Sequence, residues 1–317
     1  MLEAVELERI MMEKVVWYYY FEDLTQNEIA NLLNVNRTRV IKLLNKARKT
    51  GIVRFVLRRD SELRVNLHKQ LLQAFNLKDA FIIPEVPDEN DLNTSIAQAA
   101  AIYINDMFQN MDMINIGYGD TPSKVLNHLA TMAQKPISCV SLTGGVNYYL
   151  PDTKSGIFNA KLHLLPLPLL CASKEMAQAM HNESEFINIS RMISLSSVSV
   201  VGIGAMSSSA TIIKSGILGL NDFNYLRMKG AVGDILCHFI DEEGKLVENT
   251  IEERLIATTL DTLKNLNNVI AVAGGKNKVQ AIYSALYGGY FDILITDEIT
   301  AKGLIEMVNN KEEEAMQ

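Results

Sequence analysis

The stretch Leu24-Thr-Gln-Asn-Glu-Ile-Ala-Asn-Leu-Leu-Asn-Val-Asn-Arg-Thr-Arg-Val-Ile-Lys-Leu-Leu44 carries the signature of two short helices joined by a tight turn. Thr25 stands where a helix N-cap belongs, and Glu28, three positions on, reaches back to complete a capping box. Ile29, Leu33, Val35, Val40 and Leu43 fall where two helices crossing steeply need apolar contacts. Ala30 marks their closest approach, where a larger side chain would force them apart. Glycine is usual in such a turn; here Asn34 replaces it, the non-glycine residue that best tolerates left-handed backbone. Asn36 then caps the second helix. Arg37, Thr38, Arg39, Lys42 and Asn45 are expected to point outward from it, as side chains of a recognition helix do in the major groove. Gln26 joins this candidate DNA-contacting set. Arginine pairs bidentately with guanine, whereas Lys46, Arg48 and Lys49 suit phosphates. Gly51 stops the helix, and 52–59 alternates well enough for a strand of a wing.

Upstream, Val15-Val-Trp-Tyr-Tyr-Tyr-Phe21 is too apolar for a free surface helix. It reads as the first helix of the same module or as a dimer contact, with Trp17 packed in the core.

Charge supports a small basic module on an acidic body. The 317-residue chain has a net charge of −7, yet residues 1–60 carry eleven basic and eight acidic side chains. Between Asn36 and Arg59 there are nine Lys or Arg and no Asp or Glu. Such a chain does not coat nucleic acid everywhere; a local patch is the expectation. With 48% hydrophobic and 21% charged residues, disordered, collagen-like and coiled-coil classes are excluded. Cys139, Cys171 and Cys237 are far apart and lack CxxC or zinc-ligand spacing, so reduced, buried thiols are expected, with no metal and no cofactor. The acidic start lacks the basic region of a signal peptide, and no apolar run approaches the roughly 20 residues of a spanning helix. A cytoplasmic location is expected.

The texture changes near 58–62, placing a DNA-binding domain over 1–59 and a second domain over 60–317. Glu62–Phe75, with Leu63, Leu67, Leu71 and Leu72 at helical spacing, reads as a linking helix or the first helix of that domain. Beyond Lys78 the pattern is strand, glycine turn, helix, repeated. Met113–Ile116, Ser138–Leu142, Val198–Val201, Val269–Ala273 and Ile293–Thr296 suit buried strands, several ending in glycines. Two βαβ units follow, from Met113 to Leu142 and from Val269 to Thr296, so the class is α/β with a mostly parallel, Rossmann-like sheet. Phe239–Asp241, the turn Glu242-Glu-Gly244 and Leu246–Glu248 read as a β-hairpin at the edge of that sheet.

These motifs resemble, nearly end to end, the SorC family of sugar-responsive regulators. The resemblance rests on Tyr18–Phe21 with Leu24-Thr-Gln26, the helix-turn-helix, Ile116-Gly-Tyr-Gly-Asp-Thr121, Leu142-Thr-Gly-Gly145, Val201-Gly-Ile-Gly-Ala205, Gly230-Ala-Val-Gly-Asp234, and Ala273-Gly-Gly-Lys-Asn-Lys278 continuing to Leu294-Ile-Thr-Asp297. Within the family it looks nearest to the phospho-autoinducer-2 uptake branch. The resemblance implies a sensor domain similar to sugar-phosphate isomerases and deaminases, a tetramer built from dimers, and a phosphorylated sugar as effector.

Glycine loops between strand and helix suit an anionic ligand, because the backbone approaches closely and the helix start presents free N–H groups. Gly117, Gly119, Asp120 and Thr121 form one such loop, with Thr143, Gly144 and Gly145 expected to close the opposite side. Gly204 belongs to a third loop. The Asp234 carboxylate suits sugar hydroxyls, with a turn-residue role as its alternative. Lys276 and Lys278 follow Gly275 at a helix start, where cations oppose the helix dipole unless an anion is near; Lys278 matches the family pattern better. Asp297 reads chiefly as a helix cap. Together these point to a transcription regulator that binds double-stranded operator DNA, repression being relieved by effector. A sugar-phosphate enzyme and a constitutive architectural DNA binder are the rivals; no Ser-His-Asp order, metal cluster or paired-carboxylate motif favours the enzyme, and His128 and His238 read as structural or exposed.

Overall fold

The computed structural model describes residues 2–53, 59–108, 113–145, 149, 159–207 and 210–315. The chain divides into two compact units, Met1–Glu62 and Leu63–Gln317.

The first unit is a three-helix bundle: α1 (Leu2–Tyr20), α2 (Gln26–Leu32) and α3 (Arg37–Lys49). Its core is Met12 and Val15 of α1, Ile29 and Ala30 of α2, and Val40, Leu43, Leu44 and Ala47 of α3. The start signals operate as read. Thr25 and Glu28 make the reciprocal capping box, Asn36 Oδ1 accepts the Arg39 N–H at 2.8 Å, and Asn34 sits at φ 50°. Trp17 departs from expectation: it is 54% exposed, lies flat against Phe21 at 4.7 Å between ring centroids, and donates Nε1 to Glu22. The core-facing positions of α1 are Met12 and Val15, and Trp17 falls on the opposite side of the helix. The strand expected over 52–59 falls largely on 54–58, outside the described residues; Ile52 and Val53 are bend.

In the second unit a seven-stranded sheet is parallel at every pairing. Its strands are β1 (Asp79–Ile83), β2 (Met113–Ile116), β3 (Ile137–Ser141), β4 (Ala160–His163), β5 (Val198–Val201), β9 (Val269–Val272) and β10 (Ile293–Asp297), in the order β1-β10-β9-β5-β2-β3-β4. Both faces are covered. On one lie α5 (Glu89–Met107) and α6 (Asp120–Met132), meeting Ile114, Ile116, Val198, Val200, Ile270, Val272, Ile293 and Ile295. On the other, α4 (Arg59–Phe75), α8 (Ser184–Leu195), α12 (Val279–Tyr287) and α13 (Glu298–Ala315) meet Val140, Val201, Val269, Ala271 and Leu294. Neighbouring strand residues thus enter opposite cores, which explains why these strands read as predominantly apolar runs rather than as alternating ones. His68 of α4 bonds the Asp79 carboxylate at 2.9 Å, and Arg64 bonds Glu298 at 3.3 Å, fixing α4 beside β1 and α13.

A second, three-stranded antiparallel sheet contains β6 (Ile203–Ala205), β7 (Gly233–Ile235) and β8 (His238–Ile240). The expected hairpin after β8 exists as a bridge between Ile240 and Leu246, but it extends this small sheet and not the edge of the parallel one. Helices α7 (Lys174–His181), α9 (Thr211–Lys214), α10 (Leu220–Met228) and α11 (Leu260–Lys264) complete the unit. Cys139, Cys171 and Cys237 are buried, burial pushing the Cys139 thiol up to about 12. His238 is structural: its ring nitrogens face Glu252 Oε1 at 2.8 Å and the Thr258 carbonyl at 2.9 Å. No helix among the described residues is long and apolar enough to cross a membrane.

Candidate functional site

In the first unit, the start of α3 presents Asn36, Arg37, Thr38, Arg39 and Lys42 to solvent, with Asn45 one turn further on. Gln26, at the start of α2, accepts Arg37 Nε–H at 3.3 Å. The six from Asn36 to Asn45 lie on the surface of α3 and its cap left over once Val40, Leu43, Leu44 and Ala47 are committed to the core. Two residues expected to meet phosphates already have partners: Lys46 pairs with Glu8, and Arg48 donates twice to the Tyr20 hydroxyl, at 3.1 and 3.0 Å.

In the second unit a cavity of about 750 Å³ opens at the carboxyl ends of β1, β10, β9, β5 and β2. Between β5 and β2 the chain's direction of travel across the sheet reverses, the place where open α/β sheets bind ligands. Gly119, Asp120, Thr121, Gly204, Asp234, Gly275, Lys276 and Lys278 all line it, so residues separated by more than 150 positions share one wall. Gly119 takes φ 132° and Gly275 φ 111°, conformations that side chains resist, and each turns the chain from strand into helix. α6 begins directly at Asp120 with no side-chain cap, and since Pro122 has no N–H and that of Ser123 bonds the Gly119 carbonyl, the Asp120 and Thr121 N–H groups are the uncapped ones beside the cavity.

Gly204 has a separate reason to be glycine. A Cβ there would lie 1.9 Å from Asp234 Oδ1, because the carboxylate rests on the β6 backbone. Asp234 Oδ2 accepts the Cys237 N–H at 3.2 Å. Burial raises the Asp234 carboxyl above the ordinary aspartate value, against the opposing pull of that N–H, Lys278 and His238. Burial likewise lowers the Lys278 ammonium, with Asp234 and Asp120 pulling the other way. Lys278 Nζ donates to the Ile203 carbonyl at 3.2 Å, whereas Lys276 is exposed at the rim. Asp120 is held by Asn93 at 2.9 Å and Lys124 at 2.7 Å.

Four expected members lie elsewhere. Thr143, Gly144 and Gly145 do not line the cavity: Thr143 Oγ1 bonds the Tyr149 hydroxyl at 2.7 Å, and a Cβ at Gly144 would meet the Pro168 carbonyl oxygen at 2.5 Å. They hold a chain crossing together. Gly117 is absorbed by the sheet, its N–H donating to the Val200 carbonyl at 2.8 Å. Asp297 caps α13 through the Ile299 and Thr300 N–H groups and also reaches the wall. Glu85 of the β1–α5 connection and Glu89 and Asn93 of the first turns of α5 also line it; the short apolar run before Pro84 is the signal that points to this stretch.

Residues 60–306 match the family described as "Putative sugar-binding domain". The transcriptional regulator LsrR of Klebsiella pneumoniae subsp. pneumoniae is 32% identical over 306 residues, covering 95% of this chain and 94% of that protein. LsrR of Escherichia coli K12 is 34% identical over 304 residues, covering 94% and 95%. The crystal structure of the full-length sorbitol operon regulator SorC from Klebsiella pneumoniae matches with a TM-score of 0.67 at 26% identity, over 94% of this chain and 98% of that one.

Proposed function

The chain belongs to the SorC-type family of transcriptional regulators with a sugar-binding domain, and from that premise we propose that it senses a phosphorylated sugar in the strand-end cavity and adjusts operator binding accordingly. It is a sugar-responsive, DNA-binding regulator, and its relatives are regulators rather than enzymes. Residues 1–59 act as the DNA-binding domain and 60–317 as the effector domain. One observation carries the effector reading: Asp234, Lys278 and the uncapped start of α6 converge on the same cavity. The ammonium and the α6 N–H groups suit a phosphate, and the carboxylate suits hydroxyl donors. Thr121, Gly119, Gly204 and Gly275 give the ligand close access to backbone. Gln26, Asn36, Arg37, Thr38, Arg39 and Lys42 contact operator DNA, with Lys46 joining on release from Glu8.

The working form is a homo-oligomer, a tetramer of paired dimers. Leu7, Ile10, Trp17 and Phe21 support self-association, since all four are exposed and fall on one face of α1 and its extension. The sign of regulation is repression relieved by effector, which must bind one arrangement of the DNA-binding pair more tightly than the other.

The test is binding of purified protein to its own upstream intergenic DNA at one stated salt concentration, with and without a panel of sugar phosphates. Specific binding released by one compound is expected. Release by the unphosphorylated sugar at equal concentration would remove the phosphate from the proposal, and indifference to every compound would remove the effector cavity.

A further inference from the structure

We propose that Gln26 is a positioning residue that turns Arg37 into a guanine-specific reader, the two side chains acting as one unit whose outward hydrogen-bonding groups are mainly donors. The proposal rests on the DNA-binding role given above and adds which base the unit reads.

Gln26 and Arg37 are the first residues of α2 and α3, and the turn between those helices brings their side chains together. Arg37 Nε–H donates to Gln26 Oε1 at 3.3 Å. The pair forms one wall of a hollow of about 630 Å³ whose other walls include Tyr19, Tyr20 and Thr25. Those walls are fixed: Tyr19 and Tyr20 pack edge to face at 4.9 Å, and Thr25 is engaged with Glu28. Arg37 itself is exposed, so the bond adds little to stability. Its consequence is orientation.

A guanidinium has five N–H donors and two edges able to make paired bonds, one containing Nε and one containing both Nη atoms. With Nε given to Gln26, only the Nη edge remains for paired contact, and the plane of the group is set by the amide. Guanine offers two acceptors, O6 and N7, on its major-groove edge, which is the match for that edge. Gln26 is altered in turn. Reading adenine bidentately takes a glutamine's oxygen and nitrogen together. Here the oxygen faces Arg37, so the outward part of the amide is its NH₂ group. A surface whose free groups at this point are mainly donors matches guanine and disfavours the amino groups of adenine and cytosine.

The experiment is selection of sites from a randomised duplex library by the full-length protein and by its Gln26→Ala, Gln26→Glu and Arg37→Lys variants, with affinities at constant salt. Wild type is expected to require guanine at one position of each half-site. Gln26→Ala should bind with the preference at that position relaxed by on the order of tenfold, within the range a bidentate contact supplies. Gln26→Glu retains an acceptor for Nε, so it should keep the guanine preference while binding all sequences more weakly, having added a negative charge beside the phosphates. Arg37→Lys should lose the preference. Helical content and melting temperature, measured alongside, separate misfolding from altered reading. Gln26→Ala selecting the same base with the same stringency would overturn the proposal, as would a wild-type preference for adenine, thymine or cytosine at the Arg37 position. A library left unenriched by wild type would instead overturn the DNA-binding reading beneath it.

Discussion

Replacing Gly204 by alanine isolates what holds Asp234 in place. The added Cβ would fall 1.9 Å from Oδ1 and 2.8 Å from Cγ of Asp234, separations that no side chain can share. The carboxylate must swing away, leaving the buried Cys237 N–H without the acceptor it has at 3.2 Å. An unsatisfied buried donor costs about 1–3 kcal/mol. In a unit of this size that corresponds to a fall in melting temperature of roughly 2–12 °C, at about 2–4 °C per kcal/mol. The decisive comparison is the same substitution in an Asp234→Ala background. There the clash is absent, and Gly204→Ala should be neutral or stabilising by up to about 1 kcal/mol, since Gly204 does not need a positive φ. Thermal melts of the four proteins complete a double-mutant cycle, which should show coupling of about 2 kcal/mol. Equal losses in both backgrounds would refute the account, because the damage would then lie in the β6 backbone and not at the carboxylate.

Removing the α3 cap by Asn36→Ala should lower stability of the first unit by about 1 kcal/mol, read by urea denaturation followed through helical circular dichroism. Burial lowers the His128 ring below the ordinary histidine value. The unfolded chain therefore takes up that proton first, and stability should fall as pH drops below about 6.5 toward the folded value; His128→Gln should flatten this part of the melting-temperature profile. Trp17→Glu should weaken self-association in sedimentation equilibrium without lowering the melting point of the first unit, because Trp17 adds nothing to its core.

Much of this architecture was legible because local chemistry and tertiary role coincide. Thr25 with Glu28, Asn34 and Asn36 each state a backbone conformation that only short-range bonding is needed to satisfy, and all three adopt it. The buried strands β2, β5, β9 and β10 are visible as short, mostly apolar runs since both their faces are covered, although Asn115, Ser199 and Thr296 interrupt three of them. β1 is hidden by Asp79, whose carboxylate bonds Tyr103 and His68 of the flanking helices α5 and α4. β6 and β7 are three residues each, with glycine in both, so their pairing depends on contacts that no local pattern encodes. The same limit applies to Thr143-Gly144-Gly145. A strand-end glycine pair looks alike whether it borders a cavity or, as at Gly144, packs against the backbone of Leu167 and Pro168. Trp17 was misplaced because apolar character does not distinguish the inside of a bundle from a face left exposed on it.

Asp234 and Lys278 carry opposite charges on one cavity wall, yet each makes its direct bond to backbone, the Cys237 N–H and the Ile203 carbonyl. Burial disfavours both charges, raising the acid and lowering the amine, so the surrounding protein compensates neither ion fully. A ligand that gives hydroxyl donors to the carboxylate and an anion to the ammonium supplies what burial removed. Its affinity should therefore depend on pH along two limbs, each drawn inward from the ordinary value. As pH falls, Asp234 gains a proton and loses acceptor strength earlier than a surface aspartate would. As pH rises, Lys278 loses its charge earlier than a surface lysine would. Calorimetric titration of a binding sugar phosphate across this range should trace a bell. Phosphate monoesters gain a proton themselves near pH 6, a change common to every variant. Asp234→Asn should remove only the remaining part of the acid limb, and Lys278→Met only the alkaline one. If neither variant altered its limb while both remained folded, the two side chains would be spectators, and the cavity's recognition would have to reside in the backbone loops around Gly119 and Gly275.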